Sequence, residues 1–164
     1  KYSLLLADKL GFSAQSKELI RQGALLHDLG KIGIPDRILH KKGKLTPEEF
    51  EIIKAHPSNG AKILQPIAPF KKYIPIVLYH HEREDGDGYQ KIKSGAIPKE
   101  AKVVAIADTF DAMTSGREYQ SAISCNKALE KLKKNTNSQF ETEYVEKFAS
   151  VISTIAKSQK RKSK

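Results

Sequence analysis

His27-Asp28-Leu29-Gly30-Lys31 sets an imidazole beside a carboxylate at the end of an apolar run. Leu19, Ile20, Gly23, Ala24 and Leu26 precede the pair with the spacing of one buried helix face, and His27 continues that face. Asp28 lies about 100° further round, and Gly30 reads as the stop signal. Burying such a pair is costly unless its charge is compensated. A divalent cation does that; the blander reading is a capped helix end with a hydrogen-bonded core histidine. The rest of the chain favours the cation. His56, His80, His81 and Asp108 also end or interrupt segments otherwise built for burial, and six separate core groups would each need a partner. Imidazoles and carboxylates suit iron, manganese or zinc, and this many ligands suit two ions about 3.5–4 Å apart better than one. Asp28 can bridge them with its two oxygens. A bridging water would be acidified to hydroxide while both ions polarise a phosphoryl oxygen. Lys31 is either the cation that neutralises a phosphate under attack or a solvated lysine. Asp111, one helical turn after Asp108, either holds a ligating imidazole or pairs locally.

The elements that must carry these residues all read as helices. Tyr2–Gly11 is a short helix with Leu5, Leu6 and Leu10 on its apolar side, closed by Gly11. Ser13 or Ser16 caps the helix that ends in the His-Asp pair. Ile32–Lys44 is a loop in which Asp36 can cap a turn and His40 lies on the surface beside Lys41 and Lys42. Thr46-Pro47-Glu48-Glu49 is a capping box with proline in the first turn. The helix that follows turns Phe50, Ile52 and Ile53 inward and stops at His56, because Pro57 disfavours helix before it. Asn59-Gly60 leads into a further helical turn, Ala61–Leu64. Ile74–Glu82 delivers His80 and His81, and Arg83–Gly95, with three glycines, is expected to be an exposed, mobile loop. Glu100–Thr114 is the most apolar helix and surrounds Asp108 with Val103, Val104, Ile106, Ala107, Phe110 and Met113. Ser124 caps a helix through Lys134, and Thr142 and Glu143 open the last helix. With no alternating strand pattern and no repeat, the class is all-α, a bundle of about six to seven helices around a metal centre.

Composition narrows the function classes. The 164 residues allow one domain with a sizeable core: residues 1–150 as the functional domain, and 151–164 as the end of the last helix and a basic tail. No apolar run is long enough to span a bilayer. The single cysteine, Cys125, excludes a disulfide framework and fits a reducing cytoplasm; with no histidine near it, it reads as structural. The net charge of +10 invites a nucleic-acid reading. However, Lys157, Lys160, Arg161, Lys162 and Lys164 crowd a tail read as frayed and solvated. No interleaved aromatics mark a stacking surface, so specific nucleic-acid binding is not expected, whereas recruitment of a phosphate-bearing ligand is. Lys1 in place of Met, at the start of a segment already helical, reads as a piece of a longer protein, whose parent can be membrane-tethered through a preceding region.

Five blocks in order carry a family resemblance: His27-Asp28-x-Gly30-Lys31, His56-x-x-x-Gly60, His80-His81-Glu82-Arg83, Asp85-Gly86-x-Gly88-Tyr89, and Ala107-Asp108-x-Phe110-Asp111-Ala112-Met113-Thr114-Ser115. Together they resemble the HD-GYP domain, a subgroup of the HD phosphohydrolases, from Lys1 to about Phe148. The resemblance implies two divalent ions, or three in a longer parent, of iron or manganese. It implies hydrolysis of the bacterial second messenger cyclic di-GMP to linear pGpG, and often on to GMP. His27, Asp28, His56, His80, His81 and Asp108 would be the ligands and Lys31 the contact to the scissile phosphate. Gly88 and Tyr89 would stand beside the substrate, and Arg117 would hold its phosphate or guanine. An alternative is a module that binds cyclic di-GMP or a protein partner, such as a diguanylate cyclase, without turnover; a homodimer is also open. Three departures stand out. Gln90 replaces the signature proline and is expected to loosen the loop, since proline fixes its backbone angle. Gly116 and Glu118 replace the residues that usually flank the arginine. The family usually has a further ligand in its first helix, which the resemblance would place upstream of Lys1.

Overall fold

The structure, a computed structural model, describes residues 1–115 and 122–162, with side chains described through residue 156. Its α-helices are α1 (Tyr2–Lys9), α2 (Ala14–Leu26), α3 (Asp36–Leu39), α4 (Pro47–Lys54), α5 (His56–Leu64), α6 (Ile74–Tyr79), α7 (Lys99–Ser115), α8 (Cys125–Lys134) and α9 (Thr142–Lys162). Short 3₁₀ turns span Leu29–Gly33, Ala68–Tyr73 and Ser94–Ala96. Among the described residues there is no strand; the nearest to one is an isolated bridge between Thr136 and Phe140. The all-α class is as the sequence implies. The helix count is higher than expected because the loop after Lys31 holds the one-turn α3, and because the chain restarts as a separate helix at His56.

α7 is the axis. It is apolar on nearly all sides and packs against α1, α2, α6, α8 and α9, as a helix hydrophobic all round must. On one side Phe110 meets Phe148 and Tyr2 edge to face, at ring separations of 5.1 and 5.0 Å, the arrangement the ring quadrupoles favour. Leu6, Val103, Leu132 and Val145 complete that core without solvent exposure. On its other side α7 faces α2 and α6, which bring the histidines. Helix starts follow local chemistry: Ser13 Oγ accepts the Ser16 N–H at 3.1 Å, and Thr46 and Glu49 form the expected reciprocal box.

Several expectations need correction. α4 buries no residue; Phe50 and Ile52 are exposed, because the main helix contacts of α4 are with α3 and α5 and no helix layer covers its outer face among the described residues. Pro57 does not end a helix at His56: it occupies the first turn of α5, where its missing N–H costs nothing, and Asn59 and Gly60 are helical. In α1 the buried face is Ser3, Leu6 and Ala7, with Leu5 and Leu10 only half-covered. Asp36 caps nothing, since Pro35 holds the cap position of α3 without a side-chain bond. α9 continues as helix to Lys162, further than the expected end of the last helix.

The Arg83–Gly95 loop is pinned rather than mobile. The Asp85 N–H donates to Ser138 O at 2.8 Å, and Arg83 forks onto the Asp85 carboxylate at 3.0 and 2.6 Å. Lys102 bridges Glu84 and Glu141 at 2.9 Å each, with Ser94 also bonded to Glu84.

Candidate metal centre

Three histidines reach the same point by the same local device. His27 follows α2, His56 lies two residues beyond α4, and His80 follows α6. A helix leaves its last carbonyls without intrahelical partners. In each case the histidine ring turns back onto one of them, three residues earlier. Nδ1 of His27 lies 2.9 Å from Ala24 O, that of His56 2.8 Å from Ile53 O, and that of His80 2.8 Å from Val77 O. A carbonyl only accepts, so Nδ1 carries the proton and Nε2 of the neutral ring is a bare lone pair.

The Nε2 atoms are aimed at one another. Those of His56 and His80 stand 3.3 Å apart, two acceptors with no proton between them in the neutral state. His56 Nε2 is also 3.4 Å from Asp28 Oδ1, and His27 Nε2 is 3.4 Å from Asp28 Oδ2 and 3.6 Å from Asp108 Oδ1. His27 Nε2 and Asp28 Oδ1 are buried without a hydrogen-bond partner. Acceptors that converge out of water without donors need a cation to offset them. Ligand atoms of His56, His80 and His81 lie within 4.8 Å of one another, as do those of His27, Asp28 and His80, so the described residues offer two metal-capable groups that share His80. The donors are nitrogen and carboxylate oxygen, a set that fits a divalent first-row ion. Asp108 is half-buried at the edge of this cluster, outside both groups.

Electrostatics agree with this geometry. Burial, reinforced by the neighbouring histidines, pushes His80 down to about 2 and His81 to about 4, and burial lowers His56 as well. These rings are therefore neutral at physiological pH, the state a metal requires. Burial would also depress His27, but Asp108 and Asp28 outweigh it and raise its pKa. Burial would raise Asp28, yet His27 and Lys31 hold it below the usual carboxylate value.

Glycines let the histidine-bearing segments close. A Cβ at Gly30 would fall 1.9 Å from His56 O and 2.5 Å from Gly60 N; one at Gly60 would fall 2.8 Å from Val77; one at Gly23 would fall 2.6 Å from Ile76. Gly30 and Gly60, read from sequence as a stop and a turn, are contact points between backbones. They bring the 3₁₀ turn, α5 and α6 together, and with them Asp28, His56 and His80.

The remaining candidates divide. Lys31 Nζ donates to Asp28 Oδ2 at 2.7 Å, so it stands at the cluster. Tyr89 lies over His81 with ring centroids 4.5 Å apart, and Phe50 meets it edge-on at 6.2 Å. Gly88 is buried against Glu82 rather than lining open space. Asp111 is exposed and accepts from Ser115 Oγ at 3.2 Å; among the described contacts it pairs locally and holds no imidazole. Arg117 lies outside the described residues.

Glu82 was given no role in the sequence, yet it is 4% exposed and accepts from the Gln90 N–H at 2.6 Å and the Ile92 N–H at 3.0 Å. The one signal for it was an acid placed directly between two histidines and a glycine-rich segment.

An all-helical core with a histidine–aspartate cluster at converging helix ends defines a class. The chain matches the HD domain family over residues 1–143 and belongs to it. Within that family it is of the HD-GYP type, with Gln90 at the position of the proline. It is 43% identical over 148 residues to a cyclic di-GMP phosphodiesterase of Thermotoga maritima, covering 87% of this chain and 40% of the relative. It is 45% identical over 130 residues to the cyclic di-GMP phosphodiesterase response regulator RpfG of Xanthomonas campestris, covering 76% of this chain and 34% of the relative. The chain thus spans well under half the length of these relatives. Among solved structures, Bd1817, a HDG"Y"P protein of Bdellovibrio bacteriovorus, superposes with a TM-score of 0.77 at 24% identity, covering 93% of this chain and 49% of that one, a likeness of fold. No helix among the described residues is long and apolar enough to cross a membrane.

Proposed function

We propose that this chain is a metal-dependent phosphodiesterase that hydrolyses cyclic di-GMP to pGpG, to GMP, or to both. The observation that carries the reading is the set of facing acceptors: Nε2 of His56 and His80 at 3.3 Å, beside the unpartnered His27 Nε2 and Asp28 Oδ1. His27, Asp28, His56, His80, His81 and Asp108 would hold two divalent ions, iron or manganese. Such ions supply a nucleophile activated at neutral pH and Lewis-acid polarisation of the phosphoryl group.

The protein's own groups do the rest. The i−3 carbonyls fix the rings of His27, His56 and His80 and keep Nδ1 protonated, so each of these presents Nε2. Lys31, one hydrogen bond from Asp28, stands where it can donate to a phosphate oxygen and offset its growing charge. Tyr89 walls the site beside His81, and the chain's excess of positive charge favours arrival of an anionic dinucleotide. The names of the Thermotoga and Xanthomonas relatives support the substrate class. The non-catalytic alternative drew on a loop loosened at Gln90 and on a family ligand expected upstream of Lys1; two backbone bonds to Glu82 hold the loop and weaken the first ground.

The test is to load the purified protein with iron or manganese and follow cyclic di-GMP by chromatography, with cyclic GMP-AMP in parallel. Appearance of pGpG or GMP is expected. Intact cyclic di-GMP under both metals overturns the reading, and preferential loss of cyclic GMP-AMP reassigns the substrate.

A further inference from the structure

We propose that Gln90 and Glu82 form a clamp that positions Tyr89 against His81, and that in this chain a hydrogen bond replaces the constraint a proline ring imposes. The segment after Gly86 wraps the buried Glu82 side chain. Gly88 packs so closely that a Cβ there would come within 2.6 Å of Glu82 Cα and 2.9 Å of its Oε1. Gln90 N–H and Ile92 N–H then donate to the two carboxylate oxygens, one each. Lys91, between them, has φ of +54°, a left-handed conformation unusual for a side-chain-bearing residue. That turn lets two amides converge on one anion, as backbone concavities do, and local strain of this kind concentrates at functional sites. Tyr89 sits between Gly88 and Gln90, so the clamp holds it from both sides. Its ring lies 4.5 Å from that of His81 and 6.3 Å from that of His56. The Gln90 side chain adds a second tie, accepting from Ser58 Oγ at 3.4 Å, two residues beyond His56.

The consequence runs against the family pattern. A proline at position 90 has no N–H to give and restricts Tyr89 before it, so restoring the signature proline removes one of the two donors on a buried carboxylate. In this chain Gln90→Pro therefore loosens the loop. Gln90 and Glu82 are positioning residues, for neither touches the reacting atoms.

Amide hydrogen exchange across residues 83–95 of the metal-loaded protein tests this without reference to turnover. Gln90→Pro is expected to speed exchange in this segment about tenfold, the loss of one backbone hydrogen bond, and Gln90→Ala, which keeps the N–H and loses only the long contact to Ser58 Oγ, by no more than about twofold. Glu82→Gln keeps the shape but turns one acceptor into a donor facing an N–H, and is expected to match Gln90→Pro. Metal content should be unchanged in all three. The kinetic arm rests on the phosphodiesterase reading: Gln90→Pro should raise KM for cyclic di-GMP about tenfold with a smaller change in kcat. Absence of turnover in the parent protein would count against that reading alone, since exchange still decides the clamp. Unaltered exchange in both Gln90→Pro and Glu82→Gln overturns the proposal, as does tighter substrate binding by Gln90→Pro.

Discussion

Two groups of polar side chains are buried within a few residues of each other, and they are treated in opposite ways. Glu82 has an N–H on each oxygen and a glycine shaped to its side chain. The cluster of His27, Asp28, His56 and His80 has its acceptors turned onto one another, with two buried atoms unbonded. The first arrangement is complete without any ligand. The second is complete only when a cation enters, so folding energy has been given up there for binding. A buried polar group is thus a functional signal when its partners are missing, and a structural one when they are present.

The sharpest way to break this contrast is Asp28→Asn. It should lower phosphodiesterase turnover by about 10³-fold, since several kcal/mol of metal-dependent stabilisation depend on the charge, and should reduce bound metal. The urea midpoint of the metal-free protein should fall only slightly, because the half-exposed ion pair with Lys31 is lost while the unbonded Oδ1 acceptor is removed. A fall as large as that expected of Glu82→Ala would mean the cluster is structural. Glu82→Ala is the converse: two buried N–H groups lose their acceptor, and stability should drop by about 3 kcal/mol in urea unfolding, while the metal content of the folded fraction persists.

pH separates the regions next. His80 and His81 have folded pKa values of about 2 and about 4, below the ordinary 6.5, and His56 is lowered too. Below pH 6.5 the unfolded chain therefore binds protons that the folded chain refuses. The contribution of these rings to stability is full above 6.5 and lost as pH falls towards their folded values. His27, raised by Asp108 and Asp28, acts with the opposite sign: its contribution is full below 6.5 and lost as pH rises through its folded value. With three lowered rings against one raised, metal-free protein should lose stability between pH 6.5 and 4, by up to about 1.4 kcal/mol per pH unit for each depressed histidine. Bound metal should flatten the profile. A flat profile for chelator-treated protein would contradict the buried, neutral state of the rings.

The smallest effect is a control remote from both regions. Ser13→Ala removes the cap at the far end of α2 and should cost about 1 kcal/mol in thermal or urea unfolding, with metal content and turnover unchanged.

Much of the site was legible because it is written in local code. A histidine at a helix end finds an unpaired carbonyl three residues back, so His27 and His80 were legible from where α2 and α6 stop, whereas His56 was placed at a helix end that lies two residues earlier. Tyr89 and Lys31 were legible as neighbours of motif residues. Phe50 and Ile52 were misread because periodicity marks an apolar face without saying whether anything covers it. The Arg83–Gly95 loop was misread because glycine content reports backbone freedom, while Glu82, Ser138 and Lys102 remove that freedom from elsewhere in the chain. Asp111 had two readings from spacing alone, and the side chain's own exposure selects the local one.

By itself the sequence determined the helical class, the caps at Ser13 and Thr46, and which side chains of metal-ligating type stand at helix ends, since these depend on neighbours within a turn or two. Tertiary structure alone decided that the Nε2 atoms of His56 and His80 meet, that Gly30 and Gly60 are contacts rather than breaks, and that Glu82 is satisfied where Asp28 is not. Those outcomes depend on how closely distant backbones approach, and an approach of that kind is a property of packing, absent from the order of residues along any one segment.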